Sequence, residues 1–202
     1  PLEVLRDHES IDLVLYNEGV YALHNLLASD LGPEDLKKVK GVGHMLEGRP
    51  TLNPPEQVVP QDRMDEDLPG YAWDLLPYNK KPLDLYRSHF WHTEYDHAKR
   101  TPFAAVYSSL GCRFKCDFCM INIVNRNDDG DGVISAHSPN MRYWSPEFML
   151  QEFDKLAGMG VETIRISDEM FFLDRRFFEP LLTGLVERDY PIRTWSYARV
   201  DT

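Results

Sequence analysis

Phe103-Ala-Ala-Val-Tyr-Ser-Ser-Leu-Gly111-Cys112-Arg-Phe-Lys-Cys116-Asp-Phe-Cys119 is the stretch that decides how this chain is read. Its first half is a short apolar run ending in a glycine, the pattern of a buried strand that stops at a turn. Its second half holds all 3 cysteines of the 202-residue chain, spaced C-x3-C-x2-C. Three thiolates on one short loop suit a soft metal or an iron–sulfur cluster. A structural zinc site normally takes four protein ligands, whereas a [4Fe–4S] cluster bound by three cysteines keeps one iron open for another molecule. A disulfide framework does not fit an odd number of cysteines.

Outward from the cysteines toward the C-terminus, the pattern alternates cleanly. Ser145-Pro146-Glu147 opens a helix, with serine as N-cap, proline at the first helical position and a carboxylate near the positive end of the helix dipole. Met149, Leu150, Phe153, Leu156 and Ala157 recur at helical spacing, and Gly158-Met-Gly160 closes the segment. Val161 to Ser167 is rich in β-branched residues and predicts a second strand. Arg175 to Arg188 predicts a second helix, started or kinked at Pro180, and Ile192 to Val200 a third strand. Strand, helix, strand, helix, strand in this order implies a parallel sheet with right-handed crossovers.

In parallel α/β folds, ligands gather at the carboxyl ends of the strands. Three groups should therefore share one rim: the cysteine loop, Ser167-Asp168-Glu169, and Tyr197-Ala-Arg199-Val-Asp201. Arg199 is a bidentate donor for a carboxylate or a substrate anion, or a structural partner of Asp201.

Toward the N-terminus, Ile11 to Tyr16 reads as a strand, Asn17-Glu18-Gly19 as a turn, and Val20 to Ser29 as a helix with Leu23, Leu26 and Leu27 on one face. This is the form of the closing βα unit of an α/β domain. From Gly41 to about Arg100 prolines and acidic residues interrupt every pattern, so a connector of short irregular elements is expected there. Its aromatic residues and Leu75-Leu76 are expected to pack on the flanking domains. The expected division is 1–40, 41–100 and 101–202.

The cysteine spacing, the strand before it and Phe118 just ahead of the last cysteine resemble the radical S-adenosylmethionine (SAM) superfamily. The resemblance implies that Cys112, Cys116 and Cys119 each bind one iron, and that the remaining iron is chelated by the amino and carboxylate groups of SAM. It further implies reductive cleavage of SAM to methionine and a 5'-deoxyadenosyl radical, with an external electron donor such as flavodoxin or ferredoxin and a small-molecule substrate. Phe118 would pack near the adenine. Ser167, Asp168 and Glu169 match the position of the motif that holds the SAM amino group, for which a carboxylate is a suitable partner.

The wider layout resembles the cobalamin-binding branch. Leu13 to Gly19 is similar to the last strand and turn of its Rossmann-like B12 domain, and Asp67-Leu-Pro69 with Trp73-Asp-Leu-Leu76 to the link that follows. The expected fold class is thus α/β: the first three strands of a radical SAM (βα) barrel, preceded by the C-terminal remnant of a B12-binding domain, with cobalamin as a further cofactor. Methyl transfer, cyclisation and rearrangement are all open as the reaction.

Composition bounds the rest. Hydrophobic residues make up 43%, enough for a globular core, and the net charge of −11 disfavours a broad nucleic-acid surface. No apolar run is long enough to span a membrane, and clustered thiols fit a reducing interior, so the cytoplasm is expected. Two rivals stand beside the enzyme reading. A methylthiotransferase acting on RNA typically has further cysteines in the preceding domain, and residues 1–111 contain none. A non-catalytic zinc module would need a fourth ligand such as His97 or His137. Asn127 to Gly132 is superficially like a calcium loop, but the twelfth position is Ser138 instead of glutamate. His89, His92, Glu94 and His97 lack the helical HExxH spacing of a metal site.

Overall fold

A computed structural model describes residues 1–77, 102–114, 116–119 and 141–200. They fall into two units: residues 1–63 with the described part of 113–119, and 64–112 with 141–200 as far as described.

In the first unit α1 (Leu2–Asp7) precedes β1 (Leu13–Leu15), α2 (Val20–Leu27) and α3 (Pro33–Leu36). The chain then makes a hairpin of β2 (Val42–Leu46) and β3 (Arg49–Leu52), where irregular elements were expected. The sheet order is β1-β2-β3, antiparallel throughout, with Leu13 opposite His44 and Gly43 opposite Leu52. The expected βα step is present, but the strand beside β1 runs against it, unlike the parallel neighbour of a Rossmann-like remnant.

The cause of the hairpin is local. Glu47 and Gly48 both have positive φ (49° and 76°), the backbone of a two-residue turn whose twist matches its strands. Pro50 is tolerated because β3 is an edge strand, where a missing N–H costs no ladder bond on the open side. Leu26, Val39 and Val42 form the centre of this unit, with Leu13, Leu15 and Leu36 packed against them. The expected apolar face of α2 is only partly buried, since Leu23 and Leu27 are exposed. The amide of Asn53 donates to the carbonyls of Leu36 (2.6 Å) and Val39 (2.7 Å), tying the hairpin's exit to the turn before it.

The second unit begins with α4 (Met64–Asp67) and a 3-10 turn at Trp73–Leu75. It continues with β4 (Phe103–Val106), β5 (Ser109–Gly111), β6 (Met141–Tyr143), α5 (Pro146–Gly158), β7 (Thr163–Ile166), α6 (Arg175–Arg188) and β8 (Arg193–Ser196). Strands β4, β7 and β8 form the expected parallel sheet in that order, and β5 pairs with β6 as an antiparallel ribbon.

Both long helices start as the sequence predicts or better. The Ser145 hydroxyl accepts from the Phe148 N–H at 3.0 Å, and Pro146 occupies the first turn of α5. Asp174 caps α6 by accepting from the Arg176 N–H at 3.0 Å, so Pro180 lies inside that helix, not at its start. Helices α5 and α6 approach closely at Gly184, where a Cβ would stand 2.5 Å from Leu150 Cδ1. Beneath them Ala104, Val106, Ile164 and Ile166 make the buried side of the sheet, each at most 3% exposed.

Candidate functional site

The carboxyl ends of β4 and β7 are joined by one side chain. Beyond Ile166, Ser167 donates its N–H to the Val106 carbonyl at 2.7 Å and extends the parallel ladder by a residue. The next residue, Asp168, is 1% exposed. Its Oδ1 accepts the Ser108 N–H at 2.6 Å, and its Oδ2 accepts the hydroxyls of Ser108 (2.6 Å) and Ser109 (2.7 Å). Burial raises the pKa of this carboxyl, and the hydrogen bonds from Ser108 and Ser109 act in the opposite direction. The arrangement clamps the point where the chain leaves β4 for β5, three residues before Cys112.

Gly111 ends β5 with φ +90°, a conformation that favours glycine, and Cys112 follows directly. Farther along, the Cys119 N–H donates to the Cys116 carbonyl at 3.0 Å and closes a turn around Asp117 and Phe118. None of the three cysteines is in a disulfide, and all are half-buried. Among the described residues no three His, Cys, Asp or Glu side chains gather as a metal site. Phe118 is almost wholly exposed, at 93%.

The structure therefore brings Ser167 and Asp168 to the exit of β4, with Asp168 committed to the two serines. Glu169 is half-buried beside them; burial raises its pKa first, the Asp168 carboxylate adds to that, and Arg165 opposes it. Arg199 lies beyond β8 on an exposed stretch. Residues His89, His92, Glu94, His97, Asn127 to Gly132 and His137, considered above as metal candidates, lie outside the described residues, as does Asp201.

Sequence reasoning missed two supports of this region. The Tyr71 hydroxyl accepts the Tyr107 N–H at 2.8 Å, directly beside the Asp168 clamp, and burial raises its own pKa. Tyr71 stacks on Trp73 with ring centroids 4.7 Å apart. The Trp73 indole in turn donates to Glu152 Oε2 at 2.8 Å, while Lys155 pairs with Glu152 Oε1 at 2.5 Å. Gly70, with φ +85°, permits this approach: a Cβ there would meet the Glu152 carboxyl carbon at 3.0 Å. Tyr71 and Trp73 thus pack within the second unit, to which this segment belongs, whereas Leu75 is exposed; the later aromatic residues of the segment lie outside the described residues. The only sequence signal for the serine clamp is the pair of small hydroxyls at the strand's end.

The fold resembles that of a cobalamin-dependent SAM radical enzyme. OxsB with aqua-cobalamin and SAM bound matches 90% of this chain at a TM-score of 0.60 and 21% identity. OxsB with aqua-cobalamin alone matches the same share at 0.58 and 22%. In both cases the chain spans 22% of the OxsB chain. By sequence, an uncharacterized methyltransferase of Pyrococcus horikoshii is 23% identical over the whole chain, which spans 38% of that protein. No family model matches. Among the described residues no helix is long and apolar enough to cross a membrane.

Proposed function

We propose that this chain is part of a radical SAM enzyme, and that Cys112, Cys116 and Cys119 hold its [4Fe–4S] cluster. The observation that carries this reading is the C-x3-C-x2-C triplet, which begins directly after β5 and three residues past the Asp168 clamp, in a chain whose fold is like that of OxsB. The donor set fits the group: three thiols, none in a disulfide, with no fourth cysteine in the chain. When bound, such a cluster supplies the electron that splits SAM into methionine and a 5'-deoxyadenosyl radical.

The chain's own residues do the positioning. Asp168 holds the β4 exit through Ser108 and Ser109, and Gly111 turns the backbone into the cysteine loop. Glu169, beside the clamp and unpaired by any described hydrogen bond, is the carboxylate proposed to meet the SAM amino group, with Phe118 near the adenine and Ser167 on the same rim. Asp168 is the less suitable ligand because both its oxygens are already occupied. Arg199 is proposed to face the SAM carboxylate or a substrate anion.

Cobalamin as a second cofactor is supported by the likeness to OxsB, and methyl transfer by the methyltransferase name of the archaeal relative. A small-molecule substrate, a flavodoxin or ferredoxin as electron donor and a cytoplasmic setting belong to the same proposal. Anaerobic reconstitution of the full-length protein tests it. About four irons and four acid-labile sulfides, with 5'-deoxyadenosine formed from SAM and reductant, are expected. One zinc in place of iron refutes the enzyme reading, and a missing cobalamin spectrum refutes the B12 branch alone.

A further inference from the structure

The parallel sheet of β4, β7 and β8 has two unlike faces. Ala104, Val106, Ile164 and Ile166 make one of them, which is apolar and buried. The other face carries Ala105, Arg165 and Trp195 side by side in register. Tyr107 and Tyr197 lie two residues farther along their strands, at 43% and 46% exposure. A guanidinium in the middle strand of a sheet, on the face turned away from the helices, has no role in core packing.

Its surroundings define what it can bind. The Arg165 guanidinium carbon lies 4.8 Å from the centre of the Trp195 ring and 5.1 Å from that of Tyr197. Its Nη2 donates to the Tyr197 hydroxyl at 2.6 Å. Its Nε is buried and has no hydrogen-bond partner among the described residues. No described carboxylate forms an ion pair with it; Glu169 senses its charge without a hydrogen bond to it. Two aromatic rings thus hold a cation in a fixed plane with donors to spare and no counter-ion among the described residues. A charge left this way is costly unless a partner completes it. A planar fork of N–H groups is matched by the oxygens of a carboxylate or a phosphate.

We propose that Arg165 is the anion-recognition residue of this sheet face, and that it holds a carboxylate or phosphate group of the substrate against the Trp195 and Tyr197 rings. That the anion belongs to the substrate rests on the reading above, in which this sheet carries the reaction.

Titration of the full-length protein, before cluster loading, with inorganic phosphate and with acetate tests the site, using chloride at equal ionic strength as control. Tryptophan emission is the readout, because Trp195 lies against the guanidinium. A saturable change beyond that of chloride is expected, lost in Arg165→Met and absent in Trp195→Phe. In Arg165→Lys the midpoint should weaken about tenfold, the worth of one charge-assisted hydrogen bond. The anion that saturates at lower concentration tells phosphate from carboxylate. An unchanged titration in Arg165→Met overturns the site; if that variant does not fold, an unchanged midpoint in Arg165→Lys does the same. Competition by SAM overturns the assignment to substrate and moves Arg165 to the SAM carboxylate. Iron and sulfide content do not depend on Arg165, so a chain that binds anions without a cluster refutes only the radical reading, and the reverse refutes only this one.

Discussion

The sheet of residues 13–52 is antiparallel, and two of its three strands are joined by the turn Glu47-Gly48. The sheet of β4, β7 and β8 is parallel, and each of its connections carries a helix. Antiparallel neighbours can close through two residues, while parallel ones need a long crossover. The consequence is chemical as well as topological. A parallel sheet sends every carboxyl end to one rim, so Ser108, Asp168 and the approach to Cys112 meet although about sixty residues separate the first two. The meander alternates its ends and gathers only structural groups, such as Asn53 under its own hairpin.

Substitutions on the two sheets should therefore differ in kind. The largest effect is expected at Cys112, Cys116 or Cys119: changing any one to alanine should reduce cluster iron and 5'-deoxyadenosine formation to background, read by iron analysis and product chromatography. Retained iron in a single variant would separate that cysteine from the ligand set. Next comes Asp168→Ala, which strands the Ser108 N–H and two hydroxyls in a buried site. A loss of about 3 kcal/mol is expected in chemical denaturation, with Asp168→Asn less costly because its amide still offers an acceptor. An Asp168→Ala variant as stable as the unsubstituted chain would mean that the clamp does not hold the rim.

Gly184→Ala should cost about 1–3 kcal/mol, since the new methyl overlaps Leu150 and must separate α5 from α6. On the antiparallel side, Gly48→Ala meets no atom within 4 Å and carries only the strain of φ +76°. About 1 kcal/mol is expected there, with no effect on iron content. A larger loss at Gly48 than at Gly184 would reverse the comparison.

The smallest effect is one of pH. Burial holds the Asp168 pKa above its ordinary 3.8, so the unfolded chain releases this proton first. Stability should fall as pH rises from that value through the raised folded one, and this slope should vanish in Asp168→Asn. Denaturation midpoints measured across the acid range check the sign.

Much of the second unit was legible in the sequence. The apolar runs at Phe103 and Val161 and the Ser145-Pro146 cap each carry a local signal, so β4, β7 and α5 lie where expected. Pro180 was misleading because the true cap, Asp174, lies outside the apolar pattern. The hairpin at residues 42–52 was hidden for a similar reason. Gly43 and Pro50 weaken strand propensity, and only the Glu47-Gly48 pair marked the turn. Arg165 could be placed on a strand, but nothing in its neighbours in sequence announced the rings of Trp195 and Tyr197.

By itself the sequence determined the chemistry that one short segment can carry: three thiols with the spacing of a cluster loop, at the end of a strand. Spacing along a few residues survives any fold, because the backbone limits how far those side chains can part. Which carboxylate is tied into the scaffold and which is left open was decided only by tertiary structure. Asp168 and Glu169 are neighbours in sequence with the same charge. Just past the end of β7 the chain turns the first into the buried β4 exit, where two serines occupy it, and leaves the second half-buried beside Arg165. A one-residue step beyond the strand changes the partners within reach, and those are set by residues about sixty positions away.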